Sequence, residues 1–217
     1  GWGGFLILCA VVVGHLYEEK ERRLQELRTA YVGILEILAK YLEAADPYTQ
    51  GHSVRVSQMA LNTAKEMELP PEECENIRAA ALLHDIGKVE ISADLIQKAT
   101  ALTDEERAVM ASHPECGKEI LGSVGTVLKA AIPLVAAHHK WVGDQNGSSA
   151  DEEEVPLGAR IIAVPDAFDA MTSDRSYRKG MPPWRALEEL ELGAGKQFDK
   201  NVVEAFKRVI SLQMMTV

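Results

Sequence analysis

Cysteine is scarce and scattered. Cys9, Cys74 and Cys116 are the three in 217 residues, odd in number and far apart, and no CxxC pair exists. A disulfide framework is therefore not expected, and a reducing compartment fits the pattern. Cys116 follows His113 by three residues, but nothing completes a Cys/His zinc set. Positive charge is in deficit: 23 Lys and Arg face 33 Asp and Glu, for a net charge of −10. That excludes a general nucleic-acid surface, which needs a basic footprint. It leaves room for a small anionic substrate, because metal ions and a few placed cations reverse the sign locally. Aromatic residues make up only 6%. Alternating strands with a hairpin turn are missing, and so is any internal repeat. The expected fold class is all-α, with room for one well-cored domain plus an appendage.

An initiator methionine is also missing. The chain starts at Gly1, so a longer parent is expected. Residues 1–17, "GWGGFLILCAVVVGHLY", include nine apolar residues in a row from Phe5 to Val13. A complete membrane span needs about 20 apolar residues, and a secretory signal needs a basic first region that this stretch lacks. Two readings stand, the end of a transmembrane helix or a buried helix or strand, and the membrane reading is preferred. Lys20, Arg22 and Arg23 in the following "EEKERR" would then mark the cytoplasmic side. From residue 18 to 43 a heptad pattern runs through Leu24, Leu27, Tyr31, Ile34, Leu38 and Tyr41. Such a seam suits a parallel dimeric helix, and equally an amphipathic helix packed on its own domain. Residues 44–217 form the expected folded domain.

Within that domain the chain reads as helices on short loops. Prolines open "LPPEECENIRAAALLHDIG", which should end near Gly87. "TDEERAVMASHPECGKEIL" begins with the capping-box pair Thr103 and Glu106. Five of the six histidines lie in this part: His52, His84, His113, His138 and His139. Each sits beside small or apolar helix residues. Asp85 follows His84 directly, Lys88 lies four residues after His84 and is expected on the same helix face, and Asp166 interrupts the apolar run "RIIAVPDAFDAM". Alone, any one of these is a core histidine or a helix cap. Together they offer the imidazole and carboxylate ligands that manganese, iron and zinc accept. Two such ions a few ångströms apart suit phosphodiester hydrolysis: they polarise a phosphoryl oxygen, supply hydroxide near neutral pH and stabilise the leaving oxygen.

"HDIGK", preceded by "DPYTQGHSVRV", resembles the HD superfamily of metal-dependent phosphohydrolases. "VPLGARIIAVPDAFDAMTSDRSYRKGM" with "ELGAGKQFD" is similar to the HD-GYP subfamily, bacterial cyclic-di-GMP phosphodiesterases. The resemblance spans roughly Ala44 to Ile210. It implies an HD-type helical bundle and seven metal ligands: His52, His84, Asp85, His113, His138, His139 and Asp166, with Asp85 bridging. It implies two divalent ions per chain, iron or manganese with zinc as a third choice. It gives Asp85 and Lys88 catalytic roles, Lys88 on the scissile phosphate, and makes Arg175 and Arg178 phosphate contacts. Some members bind a third ion through a glutamate four residues before the first histidine; Tyr48 stands at that position. Glu43 is read as a helix-surface charge.

The pattern fails after the double histidine. Where the subfamily has a stretch like "HHExxDGxGYP", this chain has "HHKWVGDQNGSSADEEEVPL". Lys140 replaces the glutamate, the Gly-Tyr-Pro signature is absent, and Asp151 to Glu154 add negative charge. No lost residue matches a metal ligand. Three functions follow from the resemblance and this departure. The preferred one is hydrolysis of cyclic-di-GMP to pGpG and on to GMP, in bacterial second-messenger signalling. The others are a weakly active binding module and a phosphohydrolase for another nucleotide. The expected location is the bacterial inner membrane with the domain in the cytoplasm, the expected assembly a homodimer through the N-terminal helix, and no nucleic-acid partner is expected.

Overall fold

Ten α-helices follow one another in the computed structural model, which describes residues 1–44, 50–98, 100–143, 155–174 and 179–215. They are α1 (Trp2–Glu43), α2 (His52–Glu66), α3 (Pro71–Leu83), α4 (Ala93–Ile96), α5 (Asp104–Ala111), α6 (His113–Gly122), α7 (Ile132–Ala137), α8 (Leu157–Thr172), α9 (Pro183–Gly193) and α10 (Lys200–Met215). A 3-10 turn, Ile86–Glu90, separates α3 from α4. Among the described residues no strand forms; one isolated bridge joins Ala194 to Phe198. The fold is all-α.

Small residues set the central packing. Val56, Ala60 and Ala64 recur every four residues along α2, and all are fully buried. They meet α3, whose Ala80 and Ala81 are equally buried. With methyl groups in place of larger side chains, two helix backbones approach closely. Around this pair, α8 contributes Ile161, Ile162 and Val164, and α10 contributes Val202, Val203 and Phe206. The Phe168 and Phe206 rings meet edge to face, with centroids 5.1 Å apart, a preferred aromatic geometry.

Several helix ends differ from the periodicity reading. The first is at α3, which stops at Leu83, before His84 rather than near Gly87. The chain then tightens into the 3-10 turn, so Lys88 does not extend the α-helical face of His84. The segment that begins with the capping box at Thr103 forms two helices, α5 and α6, meeting at Ser112. Pro114, in the first turn of α6, lacks the N–H that would continue α5. The capping box is present: Thr103 Oγ1 accepts from the Glu106 N–H at 3.2 Å, and Glu106 Oε2 accepts from the Thr103 N–H at 2.8 Å.

Helix α1 runs unbroken for 42 residues, through the junction of the apolar run with the heptads. Its apolar first part is exposed, with Trp2 and Phe5 to Leu8 all at least 60% accessible. By length and composition this part can cross a membrane. The stripe of α1 that packs on the domain is Tyr31, Val32, Leu35 and Ala39. Of the heptad seam only Tyr31 belongs to it; Leu24, Leu27, Ile34, Leu38 and Tyr41 face outward.

Candidate metal centre

The histidines sit where helices begin and end. His52 is the first residue of α2 and His113 the first of α6. His84 directly follows α3, and His138 directly follows α7. Asp85 opens the 3-10 turn, and Asp166 lies inside α8 next to Pro165, which has no N–H for the helix ladder. Four helix termini and the middle of α8 thus converge on a single cleft.

Two groups of side chains meet there. The ligand atoms of His52, His84 and Asp85 lie within 4.8 Å of one another, and so do those of His113, His138 and His139. Asp166 joins the first group: its Oδ1 is 3.2 Å from His52 Nε2 and 3.8 Å from His84 Nε2. Asp85 stands between the two, with Oδ2 3.5 Å from His84 Nε2 and Oδ1 3.3 Å from His113 Nε2. Asp85 thus reaches both groups, one carboxylate oxygen toward each. Within the second group, His113 Nε2 and His138 Nε2 are 3.4 Å apart. His52, His84, His113 and His138 are buried; His139 is the most exposed of the five, though its ring is still partly enclosed.

Each buried imidazole is held by its other nitrogen. His84 Nδ1–H donates to Ala81 O at 2.8 Å, His113 Nδ1–H to Met110 O at 2.8 Å, and His138 Nδ1–H to Val135 O at 2.7 Å. The tautomer this assigns leaves the Nε2 of His84, His113 and His138 with a free lone pair, as metal ligation requires. Burial, with neighbouring histidines adding to it, pushes His138 down to about 3. Burial also lowers His113 and His139. In all three the shift favours the neutral imidazole, the form a metal ion would need.

The first group is electrostatically different. Burial opposes charge on His52, but hydrogen bonds to Asp166 and Asp169 outweigh it and raise the imidazole to about 9. Burial would raise the Asp85 carboxyl, yet the surrounding His84, Lys88, His113 and His52 hold it well below its ordinary value. Lys88 Nζ donates to Asp85 Oδ2 at 2.6 Å across the 3-10 turn. Five imidazoles and two carboxylates converge here, and Lys88 is the cation hydrogen-bonded to Asp85. The donor set fits divalent cations of the manganese, iron and zinc type.

Three residues, the pair Asp169 and Arg55 and also Glu43, escape a pattern reading. Asp169 accepts from His52 Nδ1–H at 2.8 Å and takes a bidentate pair from Arg55, Nε to Oδ1 at 2.6 Å and Nη2 to Oδ2 at 2.9 Å. Arg55 lies three residues after His52, and Asp169 three after Asp166. A charged residue repeating at i+3 beside each ligand is the signal that could have found them. Glu43 is the third. It is not a surface charge: it is 7% exposed, and its carboxylate accepts from the Gly51 N–H and the Ser53 N–H, both at 2.6 Å. The left-handed backbone of Gly51, φ 74°, turns the chain so that both N–H groups face it.

Arg175 and Arg178, the expected phosphate contacts, lie outside the described residues, as do Tyr48 and the acidic run Asp151 to Glu154. Of the divergent stretch after His139, the described part ends at Gly143, whose N–H donates to Lys196 O at 2.8 Å. A cavity of about 490 Å³ opens beside Asp85 and Lys88, walled by Leu82, Val89 and Ile91 and by the last turn of α1.

An HD domain profile matches residues 36–202. The chain belongs to the HD domain family. Its relatives put it in the HD-GYP subfamily of HD proteins. It is 35% identical over 195 residues to the cyclic di-GMP phosphodiesterase of Thermotoga maritima, covering 87% of this chain and 53% of that protein. It is 35% identical to the cyclic di-GMP phosphodiesterase response regulator RpfG of Xanthomonas campestris pv. campestris, covering 80% of this chain and 47% of the other. Among solved structures, a cyclic GMP-AMP specific phosphodiesterase of V. cholerae superposes with a TM-score of 0.53 at 32% identity, over 84% of this chain and 42% of that one. The HD chain described spans about half the length of the curated relatives it matches.

Proposed function

We propose that this HD-GYP chain is a metal-dependent phosphodiesterase that opens cyclic-di-GMP to pGpG and carries it on to GMP. One observation carries the reading: Asp85 lies between two groups of inward-facing imidazoles, so that one carboxylate is within reach of two cation positions. His52, His84, Asp85 and Asp166 would hold one ion. His113, His138 and His139 would hold the second, with Asp85 shared. When bound, the ions supply Lewis acidity and hydroxide near neutral pH. Iron or manganese is expected, and zinc is compatible with the donors.

The chain's own groups have distinct tasks. Asp85 orders both ligand groups. Lys88, 32% exposed at the cleft, offers its remaining N–H donors to a non-bridging phosphate oxygen. Arg175 and Arg178 supply the further positive charge that a dinucleotide with two phosphates needs. The cavity beside Lys88 has apolar walls suited to a nucleobase. The apolar beginning of α1 is proposed to lie in a bacterial inner membrane, with residues 44–217 as the cytoplasmic catalytic domain and residues 18–43 as a signalling helix. Its outward seam of Leu24, Leu27, Ile34 and Leu38 suits pairing with a second copy.

The test is turnover of cyclic-di-GMP by purified protein loaded with Mn²⁺ or Fe²⁺. Release of pGpG is expected, and His84→Ala should abolish it. No turnover by the metal-loaded wild type, with His84→Ala indistinguishable from it, overturns the reading. The similarity to the V. cholerae enzyme makes 3′3′-cyclic GMP-AMP the second substrate to try. A strong preference for it over cyclic-di-GMP would reassign the substrate and leave the chemistry in place.

A further inference from the structure

Glu43 is the last residue of α1, yet its side chain serves α2. Helix α2 has no side-chain cap of its own; its N-cap position is Gly51. The two N–H groups that Glu43 accepts, those of Gly51 and Ser53, bracket His52 in the chain. Both oxygens of the carboxylate are used, Oε2 on Gly51 and Oε1 on Ser53, so the contact fixes orientation as well as distance. A carboxylate at a helix N-terminus also gains from the dipole and from charge-assisted hydrogen bonds. The cap of the helix that starts with a proposed ligand is therefore delivered by a different helix.

Helix α1 meets the domain along one stripe. Leu35, Ala39 and Glu43 follow at intervals of four, and all three are buried. The same last turns of α1 bring Tyr41 and Leu42 to the wall of the cavity that opens on Asp85 and Lys88. Turning α1 by one residue, about 100°, would remove Glu43 from Gly51 and Ser53 and reshape that wall. The apolar first part of α1 makes no such contacts with the domain.

We propose that Glu43 is a positioning residue through which α1 sets His52, so that the ion held by His52, His84, Asp85 and Asp166 depends on the docking of α1. The proposal rests on the two-ion reading above. The ion held by His113, His138 and His139 is independent of Glu43, because His113 and His138 are tied to backbone carbonyls of their own segments. Detaching or rotating α1 empties one ion position and leaves the other filled, which gives the helix direct control of the centre.

The experiment titrates Mn²⁺ into the metal-free, detergent-solubilised 217-residue protein, by calorimetry and by electron paramagnetic resonance. Wild type, Glu43→Gln, Glu43→Ala and His52→Ala are compared, with circular dichroism to monitor helix content and melting. Two ions are expected in wild type. Glu43→Ala should weaken one of them about 10-fold or more, the size of effect found when a group that orients a ligand is removed. Glu43→Gln, which keeps one acceptor oxygen, should fall between. The affected ion should be the one His52→Ala loses, leaving the spectrum of a lone, uncoupled Mn²⁺. Wild-type affinity for both ions in both Glu43 variants overturns the proposal, as does equal weakening of both ions in step with a lowered melting temperature. Wild type that binds no ion overturns the two-ion reading and this proposal together; wild type with two ions and unaltered variants overturns this proposal alone.

Discussion

The two halves of the centre are built by opposite means. The His113, His138 and His139 half is local: His113 and His138 are each pinned to a carbonyl three residues back, and burial favours the neutral form of all three imidazoles. The other half has one local tie, His84 to Ala81 O, but its His52 and Asp166 are joined over a long range and charged. His52 is tied to Asp169, 117 residues away, and Asp169 to Arg55, while Glu43 of α1 holds the backbone on either side of His52. A locally built half is as stable as its own helix ends. A half assembled from α1, α2 and α8 is as stable as their mutual packing, and it is the half on which a distant input can act.

Asp85 belongs to both halves, so its replacement gives the largest effect. Asp85→Asn is expected to lose both ions and reduce cyclic-di-GMP turnover to background; metal analysis showing two ions retained would dissolve the idea of a shared carboxylate. Gly87→Ala comes next. A Cβ there would stand 1.9 Å from His113 O and 2.7 Å from Gly117 N, both backbone atoms. The 3-10 turn carrying Asp85 would be forced off α6, costing on the order of 3 kcal/mol, read as a lowered melting temperature with loss of the His113 ion. A tolerated alanine would show the two segments to be less tightly docked.

Asp169→Asn sharpens the contrast. It keeps the size of the side chain but removes the charge that orients His52 and pairs with Arg55. A loss of about 10- to 100-fold in affinity for one ion is expected, with the other unchanged. Equal losses at both would mean that the halves are not separable. The smallest effect belongs to Thr103→Ala, which removes the α5 cap for about 1 kcal/mol. Denaturant unfolding should register it while metal affinity stays the same, since Thr103 touches neither group.

Much of the centre was legible because its chemistry is carried by residue type. Histidine is a distinctive ligand, and five in one domain, with Asp85 and Asp166 in apolar runs, pointed to a metal site before any geometry. The capping box at Thr103 was legible because it is a four-residue event. Helix ends near the histidines were less so: periodicity carried α3 to Gly87, whereas the chain leaves the helix at His84 to swing Asp85 toward α6. Lys88 reaches Asp85 across that turn and not along a helical face.

By itself the sequence determined the all-helical class, the histidines and aspartates offered to a metal, and an acidic chain whose proposed substrate site must import positive charge. These depend on spacing within a few residues and on side-chain chemistry. Tertiary structure alone decided that Glu43 is buried on the start of α2, that Asp169 and Arg55 steady His52, and which stripe of α1 meets the domain. These are pairings between distant segments, and a glutamate at the end of a helix looks the same in sequence whether water or another helix's N–H groups await it.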